Sequence, residues 1–226
     1  MIILLLARQT DRLKVMARTA DHDARRAQIV AGVKALALEV GLGHVTIAGV
    51  ARSAGISVGL VQHYYSSKEE LLLDAFRSVR QDILDRIDAS IVRAERRHER
   101  IELMLRDALE QFLPLSRQRT DETNLMHAFA GLALENRSLH PGLRDAHSAH
   151  QTRVETALEN GKVCGEVEAV TDSRAEAYAL LALTDGLAVR LLTAPGRAQR
   201  TWARQALSRE ISRLFPGECR HHVDKA

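Results

Sequence analysis

The stretch from Val45 to Leu72, VTIAGVARSAGISVGLVQHYYSSKEELL, decides the fold of this protein. Its centre, Gly55 to Gly59, spells Gly-x-Ser-x-Gly, the pattern of a hydrolase nucleophile elbow. An elbow needs a buried β-branched strand directly before its first glycine, because a strand-to-helix reversal is what exposes the serine. The residues before Gly55 instead have the 3.6-residue period of a helix, so the pattern favours a bend between helices over a catalytic Ser57.

The alternative to an elbow is a pair of short helices joined by a glycine turn. Thr46 stands at the N-cap of a helix predicted over Ile47 to Ala54, and Gly55 ends that helix because glycine adopts the left-handed conformation cheaply. Ser57 is then the N-cap of a third, very short helix. Two short helices with this connection form a helix-turn-helix.

The rest of the chain also has helical patterns. Only four prolines and 4% aromatic residues favour an all-α fold. A first helix runs from Asp23 to Val40, and a long fourth one follows a Ser-x-x-Glu capping box at Ser67 and Glu70 and continues through Ile91. Five more are predicted at Ile101–Leu113, Asp121–Asn136, Pro141 to near Gly161, Ser173–Leu192 and Ala198–Phe215.

These patterns predict an N-terminal three-helix helix-turn-helix domain and a larger C-terminal helical bundle domain. We place the DNA-binding domain at residues 23–68 and the second domain at 69–216, with a flexible tail at 217–226. Residues 1–22 are expected to be a disordered or misassigned extension, since Met16 opens a polar lead into the first helix. The apolar opening MIILLLA is too short for a membrane span and lacks the flanks of a signal peptide.

Charge is distributed unevenly along the chain. The net charge is +3, but residues 1–68 carry nine Lys and Arg against four Asp and Glu, whereas residues 69–226 carry 23 against 25. The front third therefore has a net charge of +5, which favours a polyanionic partner there.

Cysteine and histidine spacing gives no sign of a metal site. Cys164 and Cys219 have no Cys-x-x-Cys spacing, so we expect free thiols in a reducing cytoplasm. His147 and His150 lie one helical turn apart, but no third ligand accompanies them at a suitable spacing. We therefore predict no metal and no cofactor.

The stretch over about residues 27–76 resembles the tetracycline-repressor (TetR) family of one-component transcriptional regulators. Many members of that family have an aromatic residue two positions before Tyr64, where this chain has Gln62, whose amide can read the edge of adenine in the major groove or contact the DNA backbone. The elements of the resemblance are the capping Thr46, Ile47 to Ala51, Ala54-Gly55-Ile56-Ser57, Gly59, the pair Tyr64-Tyr65, and Ser67-Lys68-Glu69.

The resemblance implies roles for the residues of this surface. Thr46, Tyr64 and Lys68 would contact phosphate, and Gly59 would allow close approach of the helix. The pair Arg25 and Arg26 would meet flanking phosphates or the minor groove. The residues implied to lie towards the bases are Ser57, Val58, Leu60, Gln62 and His63.

The second domain is similar, more loosely, to effector-binding and dimerisation domains of regulators like the betaine-responsive repressor. Polar and aromatic residues set in apolar helices are candidates for a small-molecule pocket: Met104, Phe112, Asn124, His127, Phe129, His147, Arg153, Tyr178 and Asp185. The last two helices are predicted to meet a twofold mate in a four-helix bundle through Leu187, Leu191, Leu207, Ile211 and Leu214, with an intramolecular core as the alternative.

The sequence thus predicts a cytoplasmic, nucleoid-associated homodimer that binds a palindromic double-stranded DNA operator and responds to an unidentified small-molecule effector. It is expected to be a repressor and not an enzyme, with no membrane partner. Two alternatives remain open: a helical adaptor protein without DNA release, and a serine hydrolase that uses Ser57.

Overall fold

A computed structural model describes the backbone of residues 2–219 and the side chains of residues 21–219. Within those residues the chain forms nine α-helices, two short 3-10 turns at Leu42–His44 and Arg137–Leu139, and no strand, which confirms the all-α prediction. The helices are α1 Ile2–Val40, α2 Ile47–Ala54, α3 Val58–Tyr64, α4 Lys68–Arg96, α5 Ile101–Glu110, α6 Arg117–Glu135, α7 His140–Cys164, α8 Ser173–Thr193 and α9 Arg197–Leu214. No described helix is long and apolar enough to cross a membrane.

Helix boundaries follow local capping more closely than hydrophobic periodicity. Helix α2 has the predicted bounds, but α5 ends at Glu110 and not at Leu113. Helix α6 begins at Arg117 because the Ser116 hydroxyl accepts a hydrogen bond from the Arg119 amide, which caps the helix. The apolar pattern used to predict α6 starts only after this polar first turn.

The chain divides into two compact units, Met1–Ser78 and Val79–Ala226. The boundary between the units follows Ser78, ten residues after the position expected from the sequence, Lys68. The difference arises because the first turns of α4 bury Leu71, Leu72 and Ala75 in the N-terminal unit. Residues 2–22 are part of α1, and the choice between Met1 and Met16 as the start stays a prediction. Residues 220–226 of the expected tail lie outside the described residues.

The N-terminal unit is built on a close crossing of α1 and α2. Ile29, Val33 and Val50 are fully buried there. A Cβ atom at Gly32 would lie 2.9 Å from the Ala54 Cβ and 3.1 Å from its backbone nitrogen. Because the backbone of α2 cannot yield as a flexible side chain would, the crossing requires glycine at position 32.

The core of the second unit includes most of the residues that the sequence predicted for the dimer interface. Leu191, Leu207, Ile211 and Leu214 are each at most 4% exposed and belong to one apolar cluster within the chain. Leu187 is partly buried against the same cluster. Leu191, Leu207, Ile211 and Leu214 are therefore too deeply buried to contact a second chain, which corrects their assignment to the dimer interface. They belong to an intramolecular core, the alternative that the sequence left open.

The two cysteines form a disulfide, which overturns the expectation of free thiols. Cys164, at the end of α7, and Cys219 have Cα atoms 5.2 Å apart although 55 residues separate them in the sequence. Gly217 adds a backbone hydrogen bond from its amide to the Glu166 carbonyl. The bond therefore ties the C-terminal segment to the end of α7, a proximity that sequence spacing does not indicate.

Glu166 links this corner to the start of α5. Its side chain is 0% exposed, and its two carboxylate oxygens accept hydrogen bonds from the backbone amides of Ile101 at 3.1 Å and Glu102 at 3.2 Å. Arg100 forms an ion pair with it at 3.3 Å. Within the described residues, potential metal ligands come together only as Cys164, Glu166 and Cys219. Since the sulfurs are bonded to each other and the carboxylate caps α5, we interpret this group as structural.

Candidate nucleic-acid interface

The turn between α2 and α3 is fixed by three local interactions that the sequence predicts. The Thr46 hydroxyl accepts a hydrogen bond from the Gly49 amide at 3.1 Å, and Gly55 ends α2 with φ of 67°. The Ser57 hydroxyl accepts one from the Leu60 amide at 3.2 Å. Ser57 is therefore an N-cap, and the described residues offer no strand on which a nucleophile elbow would stand.

The start of α4 is capped more elaborately than expected. The Glu70 amide donates to the Ser67 hydroxyl at 3.1 Å, as a capping box requires. The Glu70 carboxylate, however, accepts hydrogen bonds from the amide and hydroxyl of Ser66, both at 2.8 Å, and not from the Ser67 amide. These hydrogen bonds favour the charged form and lower the pKa of Glu70.

The outer face of α3 is free of the core. Ser57, Val58, Gly59, Gln62 and His63 are exposed, and Leu60 is half-buried. Its inner face packs through Val61 and Tyr65, four residues apart, which are 0% and 2% exposed. The helix thus presents a contiguous set of small, apolar and hydrogen-bonding groups to solvent.

The electrostatics of this surface favour an anion. No Asp or Glu occurs from residue 40 to residue 68, while Arg52 and Lys68 supply positive charge. The Lys68 ammonium group donates a hydrogen bond to the Gly43 carbonyl at 3.0 Å, which holds the start of α4 beside the turn before α2. The segment from residue 40 to residue 68 therefore contributes no negative charge of its own to repel the phosphates of a duplex, and the Glu70 carboxylate beside it is held by Ser66.

Tyr64 lies at the edge of the exposed face of α3. Its ring is half-buried, with the His22 ring 4.7 Å away and the His63 ring at 5.4 Å in an edge-on arrangement. These neighbours orient the ring, and the residue keeps part of its surface exposed. Thr46, the other residue implied to contact phosphate, is itself exposed.

Arg26 has a structural partner that the sequence did not indicate. Its guanidinium contacts Asp74 at 3.0 Å and lies 5.3 Å from the centre of the Tyr65 ring. The Tyr65 hydroxyl donates to the same Asp74 oxygen at 2.5 Å, and burial together with this hydrogen bond raises the pKa of Tyr65. Arg26 is therefore committed to holding α1 on α4, which leaves the exposed Arg25 as the freer candidate for a phosphate contact.

Comparisons with known proteins identify the chain. A family model described as "Bacterial regulatory proteins, tetR family" matches residues 29–75, which span the helix-turn-helix. A model described as "BetI-type transcriptional repressor, C-terminal" matches residues 102–216, more than half of the chain. The protein belongs to the TetR family. Members of this family are DNA-binding transcriptional regulators, so the coarse function predicted from the sequence is confirmed.

Two relatives are similar to this chain over most of their length. The HTH-type transcriptional regulator PksA of Bacillus subtilis is 25% identical over 199 residues, which is 88% of this chain and 94% of that protein. The HTH-type transcriptional regulator BetI 2 of Chromohalobacter salexigens is 29% identical over 179 residues, which is 77% of this chain and 81% of that protein. A crystal structure of a transcriptional regulator from Rhodococcus sp. Rha1 matches with a TM-score of 0.72 at 28% identity, and the match covers 84% of this chain and 95% of that one.

Residues predicted for the effector pocket fall into three groups. Phe129 is a core residue, 1% exposed, and Met104 is half-buried. Asn124 and Tyr178 are exposed, Tyr178 by 68%, so neither is enclosed by the chain. The remaining five lie near one another in two polar clusters of the second unit: Phe112 and Arg153 in one, and His127, His147 and Asp185 in the other.

The first polar cluster contains two residues that sequence reasoning missed as pocket candidates. The His150 ring stacks on Phe112 with centroids 4.3 Å apart, and loss of water together with the charges of Arg80 and Arg153 lowers the pKa of His150 to about 4. Burial and the charge of Arg153 also lower the pKa of Arg80. Arg153 forms an ion pair with Asp88. The helical spacing of His147 and His150 was the available signal, but it was weighed only for metal binding.

The second cluster joins α6, α7 and α8. Burial lowers the pKa of His127, and the nearby Asp185 opposes that shift. Surrounding protein displaces water from the Asp185 carboxyl and raises its pKa, although the residue as a whole stays exposed. His147 also interacts electrostatically with Asp185. The two opposite shifts show that His127 and Asp185 share a partly desolvated site in which each favours the charged form of the other.

Proposed function

We propose that this protein is a dimeric, ligand-responsive repressor that binds a palindromic operator through α3. The single observation that carries the proposal is the exposed face of α3, in which Gln62 and His63 project from a helix whose opposite face is locked into the core by Val61 and Tyr65. A short helix presented in this way reads base edges in the major groove.

Within this proposal, contacts divide into positioning and reading. Thr46, Tyr64, Lys68 and Arg25 contact phosphates, and Gly59 allows the helix to lie close to the duplex. The base-reading set is Ser57, Val58, Leu60, Gln62 and His63. Gln62 is the sharpest specificity residue, since its amide matches the donor and acceptor pair of adenine in the major groove.

The test is selection of binding sites from a random duplex pool by the full-length protein, followed by fluorescence anisotropy across salt concentrations. We expect a twofold-symmetric site and a steep salt dependence, because phosphate contacts release counterions. Gln62→Ala should change base preference in the selection, and Gln81→Ala, the same change at an exposed residue of α4, should not. Failure to enrich any site, with weak salt dependence, would favour the adaptor alternative.

The dimer is proposed to form through the outer face of α8. Tyr178, Ala182, Gly186 and Val189 lie at helical spacing on that face and are all exposed, so together they make an apolar strip of mostly small residues. Trp202 on α9 is a further exposed aromatic residue of the same unit, with 62% of its surface accessible. A single recognition helix reads few base pairs, and a twofold partner doubles the contacts.

Ala182→Arg tests this interface because it adds bulk and charge without touching the core. We expect light scattering to report a monomer for Ala182→Arg and a dimer for Ala149→Arg, a matched exposed alanine on α7. A dimeric Ala182→Arg protein would place the interface elsewhere.

The effector is proposed to bind at the polar clusters of α4 to α8, around His150, Phe112, His127 and Asp185. A ligand shifts the DNA affinity only if it binds one conformation more tightly than the other. One solved neighbour, a transcriptional regulator from Saccharomonospora viridis in complex with choline, has a TM-score of 0.74 at 23% identity, covering 87% of this chain and 99% of that one. That likeness supports the fold and leaves the effector of this chain unassigned.

A further inference from the structure

A groove of about 530 Å³ lies between α5 and the first half of α9, within the second unit. Four arginines line it, Arg106, Arg197, Arg200 and Arg204, together with Leu115, Gln205, Thr201 and Ser208. The Thr201 hydroxyl donates to the Arg197 carbonyl at 3.1 Å, so Ser208 is the hydroxyl that remains available as a donor. Glu110 is the one carboxylate among the described residues that line it.

The arginines follow from the sequence of α9. Arg197, Arg200 and Arg204 are spaced by three and four residues, which places them on one face of the helix. Residues 186–209 contain five arginines and no Asp or Glu. This is a local excess of positive charge in a half of the molecule that is otherwise slightly acidic.

Two of the four arginines are already neutralised within the chain. Glu110, 7% exposed, accepts a hydrogen bond from the Arg204 guanidinium at 2.9 Å, and Arg106 pairs with the adjacent Asp107 at 3.2 Å. Across the described residues no carboxylate lies within the 4.0 Å ion-pair distance of Arg197 or Arg200. The groove therefore keeps two guanidinium groups whose charge no carboxylate of the described residues balances.

The opposite flank of α9 differs in this respect. There Arg213 forms ion pairs with Glu176 of α8 and with Glu210, at 2.9 Å and 3.3 Å. Arginine on that flank is thus part of the packing of α9 on α8. Among the described arginines of α9, the two without a carboxylate partner, Arg197 and Arg200, both lie on the flank that faces α5.

We propose that the groove between α5 and α9 binds a small anion that carries phosphate groups, at a site separate from the effector clusters. Guanidinium forks match phosphate oxygens in pairs, and the Ser208 hydroxyl adds one more donor to the groove. The volume lies within the range of small-molecule sites, and two unbalanced arginines suit a ligand with at least two negative charges.

The test is isothermal titration calorimetry of the full-length protein with inorganic pyrophosphate as the probe. We expect saturable binding, weakened about tenfold or more in Arg197→Gln/Arg200→Gln. The control Arg137→Gln/Arg144→Gln removes two exposed arginines outside the groove and should bind as the unmodified chain does. Circular dichroism melting verifies that both variants fold.

Three outcomes would overturn the proposal. The first is no saturable binding by the unmodified protein. The second is equal weakening in both double variants, which would indicate an adventitious ion only, attracted by net charge. The third is a changed oligomeric state of Arg197→Gln/Arg200→Gln in light scattering, which would make the groove an interface between copies of the chain.

Discussion

Reduction of the Cys164–Cys219 bond should destabilise the second unit more than any surface substitution would. The bond closes a loop between residues 55 apart in the sequence. In the chain-entropy description a closed loop of this length restricts the unfolded chain by roughly 4 kcal/mol at 25 °C. For a unit of this size, 1 kcal/mol corresponds to about 2–4 °C in Tm, so we expect a decrease of about 8–16 °C.

Differential scanning calorimetry of the full chain, with and without a phosphine reductant, measures this effect. Thiol titration of the denatured protein establishes the redox state of each sample. Cys219→Ala should melt near the temperature of the reduced protein and should not respond to reductant. Because Gly217 and Glu166 still hold the C-terminal segment through a backbone hydrogen bond, the reduced unit is expected to remain folded at room temperature.

Either of two results would refute this reasoning. One is an unchanged Tm on reduction, with thiol titration confirming two free sulfhydryl groups, since the loop entropy would then be offset within the unfolded chain. The other is two free thiols in protein purified without reductant and exposed to air, since the sulfurs would then not be joined in solution.

Three further predictions concern single residues. Gly32→Ala should cost about 1–3 kcal/mol in the free energy of unfolding, measured by urea titration, because the added Cβ would meet the Ala54 backbone. Gly59→Ala should leave the fold at least as stable, since its Cβ would meet nothing within 4 Å, yet weaken operator binding in anisotropy; Gly131→Ala, equally unobstructed on α6, should bind DNA normally. The free energy of unfolding should fall as the pH drops from 6.5 towards 4, because His150 is protonated in the unfolded chain over this range but stays neutral in the folded one, where its pKa is about 4. His150→Gln should reduce this pH dependence in urea titrations, and an unchanged pH dependence would contradict the assigned pKa.

The helix-turn-helix is the part of the fold that sequence predicts best, because its determinants are local. Thr46 and Ser57 cap the helices that follow them within three residues, and Gly55 takes the left-handed conformation that ends α2. Each of these interactions depends on neighbours a few positions away, so spacing alone locates it.

Partners that are distant in the sequence could not be predicted, because only the fold brings them together. Arg26 reads as a basic residue ahead of a DNA-binding helix, and only the fold brings Asp74 to it across 48 positions. Cys164 and Cys219 read as unrelated thiols until the end of α7 meets the C-terminal segment. Apolar periodicity likewise marked Leu207 as part of a packing face without stating which partner covers it, and the chain's own core does.

The sequence by itself determined the all-helical class, the helix-turn-helix and the TetR-like character of the first unit, since these depend on capping, periodicity and a contiguous motif. The tertiary structure alone decided which charges are balanced and which apolar faces remain exposed. It pairs Arg26 with Asp74 and leaves Arg197 and Arg200 without a carboxylate partner among the described residues. Pairing of charges and burial of side chains depend on distances between elements far apart in the chain, and a linear pattern carries no such distances.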